Sequence, residues 1–147
     1  MRSNDPKKFF SEKEEQQIVS AIKSAEKNTS GEIRLHLEKK VKGNIFEFTK
    51  KKFEQLKMTH TKERNGCLIL LDLTNRKFTV VGDKGINDKV GIDFWNEAAE
   101  DMRKHFAEDK FADGISSAIL NIGKKLKEFF PYQKDDINEL PDEISKS

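Results

Sequence analysis

The stretch that decides the fold is NGCLILLD, residues 65–72. Its five central positions are continuously apolar, and they are bounded by Asn65-Gly66 on one side and by Asp72 on the other. A run of this length without polar alternation is typical of a strand that is buried on both faces. A sheet that contains such a strand needs helices on both sides, so the stretch predicts a three-layer α/β/α arrangement.

Two further strands flank this stretch along the chain. Residues 32–38 alternate strictly, which predicts a half-buried strand whose apolar side carries Ile33, Leu35 and Leu37 and whose polar side carries Glu32, Arg34, His36 and Glu38. Residues 77–81 follow after a short turn, which favours an antiparallel hairpin. A crossover helix between the first two strands makes them a parallel, right-handed βαβ unit. The sheet is therefore expected to be small and mixed, with a βαββ core.

Four helices are predicted from apolar residues at helical spacing. The first begins near Ser11, where Glu14 completes a capping-box pattern. The second follows Gly43-Asn44 with an apolar side that starts at Phe46, and Pro131 ends the fourth. We therefore expect residues 1–130 to form a single domain. Residues 131–147 carry five acidic residues against two lysines and are expected to form a flexible acidic tail.

Composition excludes several classes of protein. The net charge of +2 is too small to indicate a nucleic-acid or membrane partner, although residues 39–64 hold nine Lys or Arg against three Glu. Cys67 is the only cysteine, so no disulfide can form within the chain. The sequence shows no signal peptide and no apolar stretch of about 20 residues, so we expect a cytoplasmic protein without a membrane span. The sequence contains no phosphate-binding loop, nucleophile elbow or zinc-binding spacing.

The order of several short motifs resembles the TPM domain family over about residues 11–130. The motifs are Asn65-Gly66 with its apolar strand, Arg76 in the hairpin turn, Gly82-x-x-Gly85, the segment FAEDKFADG at residues 106–114, and Ser30-Gly31-Glu32-Ile33 at the first strand. The resemblance implies a Rossmann-like α/β/α sandwich. In some members it implies bound calcium and a reported acid-phosphatase activity. This chain lacks the signal, anchor and Gly-rich tail of many members, so it is similar to a stand-alone, soluble, bacterial-type version.

Acidic residues are expected to gather at one edge of the sheet. If the first two strands are parallel, Glu32 lies at the same end as Asn65-Gly66, and the hairpin returns Asp83 to that end, with Asp88 following. Ca²⁺ and Mg²⁺ prefer such oxygen ligands. With the resemblance, this predicts a metal site made of Glu32, Asp83 and Asp88, with Ca²⁺ or Mg²⁺ as the cofactor. Gly82, Gly85 and Gly91 are expected to let backbone carbonyls turn towards the ion.

Other interpretations of these residues stay open. Asp83 can simply close a turn, and Glu32 can be a solvated strand residue. A second cluster, ranked lower because its arginine repels a cation, is formed at the opposite end of the sheet by Asp72, Arg76, Asp109 and Asp113.

Three functions follow, in order of preference. The first is divalent-cation binding, and the second is a metal-dependent acid phosphatase, for which the sequence shows no dedicated nucleophile. The third is an adaptor whose basic surface, comprising Lys39, Lys50, Lys51 and Lys52, binds an acidic partner. The absence of interleaved aromatic residues argues against single-stranded nucleic acid, and the sequence identifies no protein partner.

Overall fold

The computed structural model describes residues 2–132 and 140–147, with Ile92 described by its backbone only. In chain order, the elements are α1 Glu12–Glu26, β1 Glu32–Glu38, α2 Ile45–Gln55, β2 Gly66–Asp72, β3 Lys77–Gly82, α3 Lys84–Asn87, α4 Ile92–Ala107, α5 Phe111–Phe129 and β4 Ser145–Lys146. The short helix α3 was not predicted from the sequence.

The four strands form one mixed sheet in the order β3-β2-β1-β4. β1 pairs with β2 in parallel, with Glu32 opposite Gly66 and Glu38 opposite Asp72. β2 and β3 form the predicted antiparallel hairpin, with Cys67 opposite Gly82. The βαββ core predicted from the sequence is therefore confirmed. It places the start of β1, the start of β2 and the end of β3 at one edge of the sheet.

The central strand β2 is buried over its whole length, and its side chains point alternately into two apolar clusters. Cys67, Ile69 and Leu71 join the main core, which also contains the apolar faces of α1 and α5. Leu68 joins a smaller cluster with Phe53 of α2. Helices thus cover both faces of the sheet, as a strand without polar alternation requires, and the fold is the expected three-layer α/β sandwich.

Local signals fix the helix starts. Ser11 accepts a hydrogen bond from the backbone N–H of Glu14, and the Glu14 carboxylate accepts one from the N–H of Ser11, which completes the predicted capping box. At the start of α2, Asn44 accepts from the N–H of Glu47.

Helices α1 and α5 approach so closely that a Cβ on Gly123 would lie 2.6 Å from the Cβ of Ala25.

The end of the chain differs from the expected flexible tail. Ser145–Lys146 form β4, which pairs in parallel with β1 through residues 36 and 37. The Ser147 N–H donates to the Leu37 carbonyl at 2.9 Å, and Leu140 is buried in the smaller cluster. The prediction for residues 131–147 is therefore wrong for residues 140–147. The edge of β1, which is distant in the sequence, supplies their hydrogen bonds, so no local sequence pattern could indicate the pairing. Residues 133–139, which fall within the predicted tail, lie outside the described residues.

Two surface assignments also need correction. The polar side of β1 was expected to face solvent, but Glu32 is 2% exposed and His36 is 0% exposed, because α2 and the C-terminal residues cover that face. Conversely, Phe46 was expected on the apolar side of α2 and is 47% exposed. Within the described residues, no helix combines the length and apolarity needed to cross a bilayer.

Candidate metal centre

Three carboxylates converge at the edge of the sheet where β1 begins. Glu26 is the last residue of α1, Glu32 is the first residue of β1, and Asp142 lies shortly before β4. One carboxylate oxygen from each lies within 4.8 Å of the other two. We call these three residues the acidic cluster. Ca²⁺ binds oxygen ligands at roughly 2.3–2.6 Å, so two ligands of one ion are at most about 5 Å apart, and the spacing fits a shared cation.

Burial and like charge act together on Glu26. Burial raises the pKa of this carboxyl well above its ordinary value, and the hydrogen bond with Asp142 and the proximity of Glu32 raise the pKa further. The N–H of Ile33 donates to Glu26 Oε2 at 2.7 Å, which acts in the opposite direction but is outweighed. These effects favour the protonated form of the Glu26 carboxyl in the absence of a cation. A bound divalent cation would replace that proton.

Asn65 adds an oxygen atom at the same edge. The N–H of Glu32 donates to the Asn65 backbone carbonyl at 3.2 Å, so the two residues are neighbours. Asn65 is 1% exposed, and its side-chain Oδ1 has no hydrogen-bond donor in the described part of the chain. Its amide nitrogen donates to Ser30 Oγ at 3.2 Å. Oxygen acceptors are thus abundant at this edge.

Asp83 lies at the predicted edge but has its own cationic partner. Its N–H donates to the Gly66 carbonyl at 2.9 Å, and Gly66 is the register partner of Glu32. The Asp83 carboxylate accepts two hydrogen bonds from Arg64, at 2.7 and 2.9 Å, and a third from the N–H of Lys84 at 2.7 Å. This carboxylate therefore caps α3 and holds an arginine, and it is not one of the three members of the acidic cluster.

Asp88 is exposed and follows the last residue of α3. The metal site of Glu32, Asp83 and Asp88 stays a prediction, with only Glu32 in the acidic cluster.

Gly82 and Gly85 do not adopt the left-handed backbone conformation. A side chain at either position would instead collide with a neighbouring residue. A Cβ on Gly82 would lie 2.7 Å from the Trp95 ring, and a Cβ on Gly85 would lie 2.2 Å from the Glu63 carbonyl oxygen.

The second predicted cluster, at the opposite end of the sheet, is divided among separate contacts. Asp72 accepts hydrogen bonds from the backbone and side-chain nitrogens of Asn75, as expected of a turn residue. Asp113 accepts from Gln17 at 2.8 Å. Arg76 and Asp109 both line a cavity.

The basic surface, formed by Lys39 after the end of β1 and by three lysines of α2, is largely exposed. Lys39, Lys50 and Lys51 are exposed, whereas Lys52 lies 3.8 Å from the Glu38 carboxylate. The exposed Phe46 ring lies under Lys50 at 5.4 Å. The adaptor function stays a prediction.

Sequence reasoning missed Glu26 and Asp142. Glu26 lies at the end of a helix and, by its spacing, looks like an ordinary surface acid. Asp142 belongs to the segment that was expected to be flexible. One feature of the sequence could have indicated Glu26. Residues 26 and 32 are both acidic and lie at the two ends of a short helix-to-strand connection, which brings their backbones close together.

The comparisons with known proteins agree with the fold. Residues 3–125 match the TPM domain family. The NMR structure of BA42 protein from the psychrophilic bacterium Bizionia argentinensis is 43% identical, with a TM-score of 0.92, and the alignment covers 99% of this chain and 100% of that one.

Two more distant NMR structures share the fold. The N-terminal domain of a P. gingivalis protein is 20% identical with a TM-score of 0.67, and the alignment covers 84% of this chain and 82% of that one. The N-terminal domain of cg2496 protein from Corynebacterium glutamicum is 12% identical with a TM-score of 0.64, covering 80% and 74% respectively. No match was found among the curated proteins.

Proposed function

Because the chain belongs to the TPM domain family, we propose that it binds a divalent cation, Ca²⁺ or Mg²⁺, through the acidic cluster. The supporting observation is the approach of three carboxylate oxygens to within 4.8 Å of one another at a largely buried place. Carboxylates repel one another at such distances unless a proton or a cation lies between them. A hard cation accepts all three as ligands and removes that repulsion.

Each residue has a distinct role in the proposed site. Glu32 is rigidly placed by its strand and supplies a buried ligand. Glu26 exchanges its proton for the cation. Asp142 arrives from the C-terminal segment, so the site depends on the docking of β4. Asn65 Oδ1, which accepts no hydrogen bond within the described residues, is a further neutral oxygen atom at the same edge.

The test is a titration of the ¹⁵N-labelled protein with CaCl₂ and separately with MgCl₂. We expect saturable amide shifts at residues 31–33 and 140–143. Glu26→Gln and Glu32→Gln should abolish saturation, whereas Glu54→Gln, the same change at an exposed position of α2, should bind normally. Absence of saturable shifts at millimolar Ca²⁺ and Mg²⁺ would disprove the proposal.

The same titration compares the two sets of ligands. If Asp83→Asn and Asp88→Asn abolish binding while Glu26→Gln does not, the cation binds at the site predicted from the sequence and the acidic cluster is wrong as its location.

The acid phosphatase implied by the resemblance stays a second prediction. Burial raises the pKa of the Cys67 thiol to about 12, so this residue is not a usable nucleophile. Metal-activated water is then the remaining route. Hydrolysis of an aryl phosphate by wild type and by Glu32→Gln measures it, and equal rates would show that the hydrolysis does not depend on the acidic cluster.

A further inference from the structure

A cavity of about 980 Å³ opens at the opposite end of the sheet from the acidic cluster. It lies where the β2–β3 turn meets the end of α4 and the start of α5. Its lining includes three arginines and three phenylalanines: Arg2, Arg76, Arg103, Phe78, Phe106 and Phe111. This volume lies in the range of small-molecule sites, which are roughly 300–1,000 Å³.

Arg76 is a fixed donor whose positive charge is not neutralised. Its Nη2 donates to the Arg2 carbonyl at 3.0 Å. Its Nη1 is buried and has no hydrogen-bond partner, and Arg76 forms no ion pair within the described ranges 2–132 and 140–147. The guanidinium lies 4.9 Å from the Phe9 ring centroid and 5.7 Å from that of Phe111, so stacking holds it in place. A buried guanidinium N–H without an acceptor is costly, and the Arg76 side chain is also part of the cavity wall, where an anion could approach its positive charge.

The other two arginines differ in how firmly they are paired. Arg2 forms a two-point ion pair with Glu14, at 2.8 and 2.6 Å, and mainly shapes the cavity wall. The Arg103 side chain is 62% exposed, makes one ion pair of 3.4 Å with Glu100 and lies 5.8 Å from the Phe78 ring centroid, so it can turn towards a ligand at little cost. Asp109 also lines the cavity and opposes an anion, whereas Arg76, which has no ion pair in the described residues, and the loosely paired Arg103 attract one.

The remaining wall is aromatic. The rings of Phe78 and Phe106 meet edge-on at 5.3 Å, and those of Phe106 and Phe111 are tilted at 4.9 Å. These three rings belong to three different elements, β3, α4 and α5. They form an apolar surface beside the positive charge, which suits a ligand with an apolar part rather than a bare inorganic ion.

We propose that this cavity binds an organic oxyanion, in which a phosphate or carboxylate group pairs with Arg76 and Arg103 and an attached flat apolar group packs on the phenylalanine rings. Guanidinium groups recognise both kinds of oxyanion through paired hydrogen bonds. The site is independent of the acidic cluster and needs no metal.

Calorimetric titration in the presence of EDTA tests the ligand class. Phenyl phosphate and benzoate carry both features, inorganic phosphate lacks the ring, and phenol lacks the charge. We expect saturable binding of phenyl phosphate or benzoate, and at least about tenfold weaker binding of inorganic phosphate and phenol. If neither aromatic anion saturates at millimolar concentration, or if inorganic phosphate binds as tightly as both, the proposal is wrong.

Matched variants test the location. Arg103→Gln should weaken the binding of the aromatic anion roughly tenfold, and its high exposure makes misfolding improbable as a cause. Lys104→Gln removes the same charge from the next residue of α4, which is exposed and outside the cavity, and should leave binding unchanged. Arg76→Lys keeps the charge without the two-point fork and should weaken binding further than Lys104→Gln does. Equal effects of Arg103→Gln and Lys104→Gln would reduce the site to nonspecific attraction and overturn the proposal.

Discussion

Glu26 makes the stability of the metal-free protein depend on pH in an unusual direction. Its pKa in the folded protein lies above the ordinary value of 4.5, mainly because the residue is buried. Above pH 4.5 the unfolded chain loses this proton while the folded chain keeps it. The folded state then binds more protons, so its stability falls as pH rises.

The Glu26→Gln variant should therefore be more stable than wild type in EDTA at pH 8, by roughly 1–3 kcal/mol. The glutamine amide can still accept from the Ile33 N–H and donate to Asp142, but it does not have to take up a proton when the chain folds at pH 8. Urea unfolding at pH 8 and at pH 4.5 measures this, and the difference should nearly vanish at the lower pH. A variant that is less stable than wild type at pH 8 would contradict the assignment.

Asp83 should contribute to stability rather than to cation binding. Asp83→Ala removes both the cap of α3 and the partner of Arg64, and should lower the free energy of unfolding by about 1–2 kcal/mol. Asp83→Asn keeps a capping oxygen and should cost less. Urea unfolding gives both values. Calorimetry with CaCl₂ should show unchanged affinity in Asp83→Asn, and a large loss would instead support the ligand set predicted from the sequence.

At the scale of elements, β4 is attached to β1 by a buried histidine. His36 Nδ1 lies 2.8 Å from Ser145 Oγ, and Nε2 lies 2.8 Å from Glu38 Oε1. Burial lowers the pKa of His36, against the raising effect of Glu38. The neutral ring therefore donates from Nε2 to the carboxylate and accepts the Ser145 hydroxyl proton at Nδ1.

Acidification should loosen this attachment. Below pH 6.5, His36 binds a proton in the unfolded chain more readily than in the folded chain. Its contribution to the free energy of unfolding is therefore complete above pH 6.5 and is lost as pH falls through that value. Hydrogen exchange of the Ser147 amide, corrected for its intrinsic rate, should accelerate between pH 7.5 and 5.5. Ser145→Ala should cost about 0.5–1.5 kcal/mol and raise the same exchange rate at pH 7.5. Protection that is constant across this range would refute the interpretation.

The packing of α1 against α5 should not tolerate a methyl group. In Gly123→Ala, the added Cβ would lie 2.6 Å from the Ala25 Cβ and 3.0 Å from its Cα, and neither atom can turn aside. We expect a loss of about 1–3 kcal/mol from overpacking, measured by thermal unfolding. Gly91→Ala is the control, because no atom lies within 4 Å of its added Cβ.

The elements that could be predicted are those whose sequence repeats with a period. The strict alternation of apolar and polar residues predicted the bounds of β1, and the continuous apolar run predicted β2. Apolar residues at helical spacing predicted the four long helices. β4 has two residues and therefore no period, and its hydrogen bonds come from a strand more than a hundred residues earlier. The acidic cluster could not be predicted in full for the same reason, because Asp142 reaches Glu32 only when β4 is in place. The ion pair of Asp83 depends on Arg64. This arginine adopts a left-handed backbone conformation, with φ of 51°, that could not be predicted from the sequence.

For the whole molecule, cation binding should release protons. The raised pKa of Glu26 favours its protonated form in the metal-free protein, and the carboxyl must ionise to bind the cation, so the affinity for Ca²⁺ should rise with pH between 6 and 8. Calorimetry in two buffers of different ionisation enthalpy, at constant pH, gives the number of protons released. Glu54→Gln should behave like wild type, whereas a heat that does not depend on the buffer would argue against Glu26 as a ligand.

Ser145–Lys146 complete the sheet, and the segment that leads to them brings Asp142 to the proposed ion. Cleavage of the backbone between Asp142 and Ser145 would therefore weaken the sheet edge and the metal affinity in one event. Calcium should in turn slow such proteolysis, because it ties this segment to the beginning of the first strand.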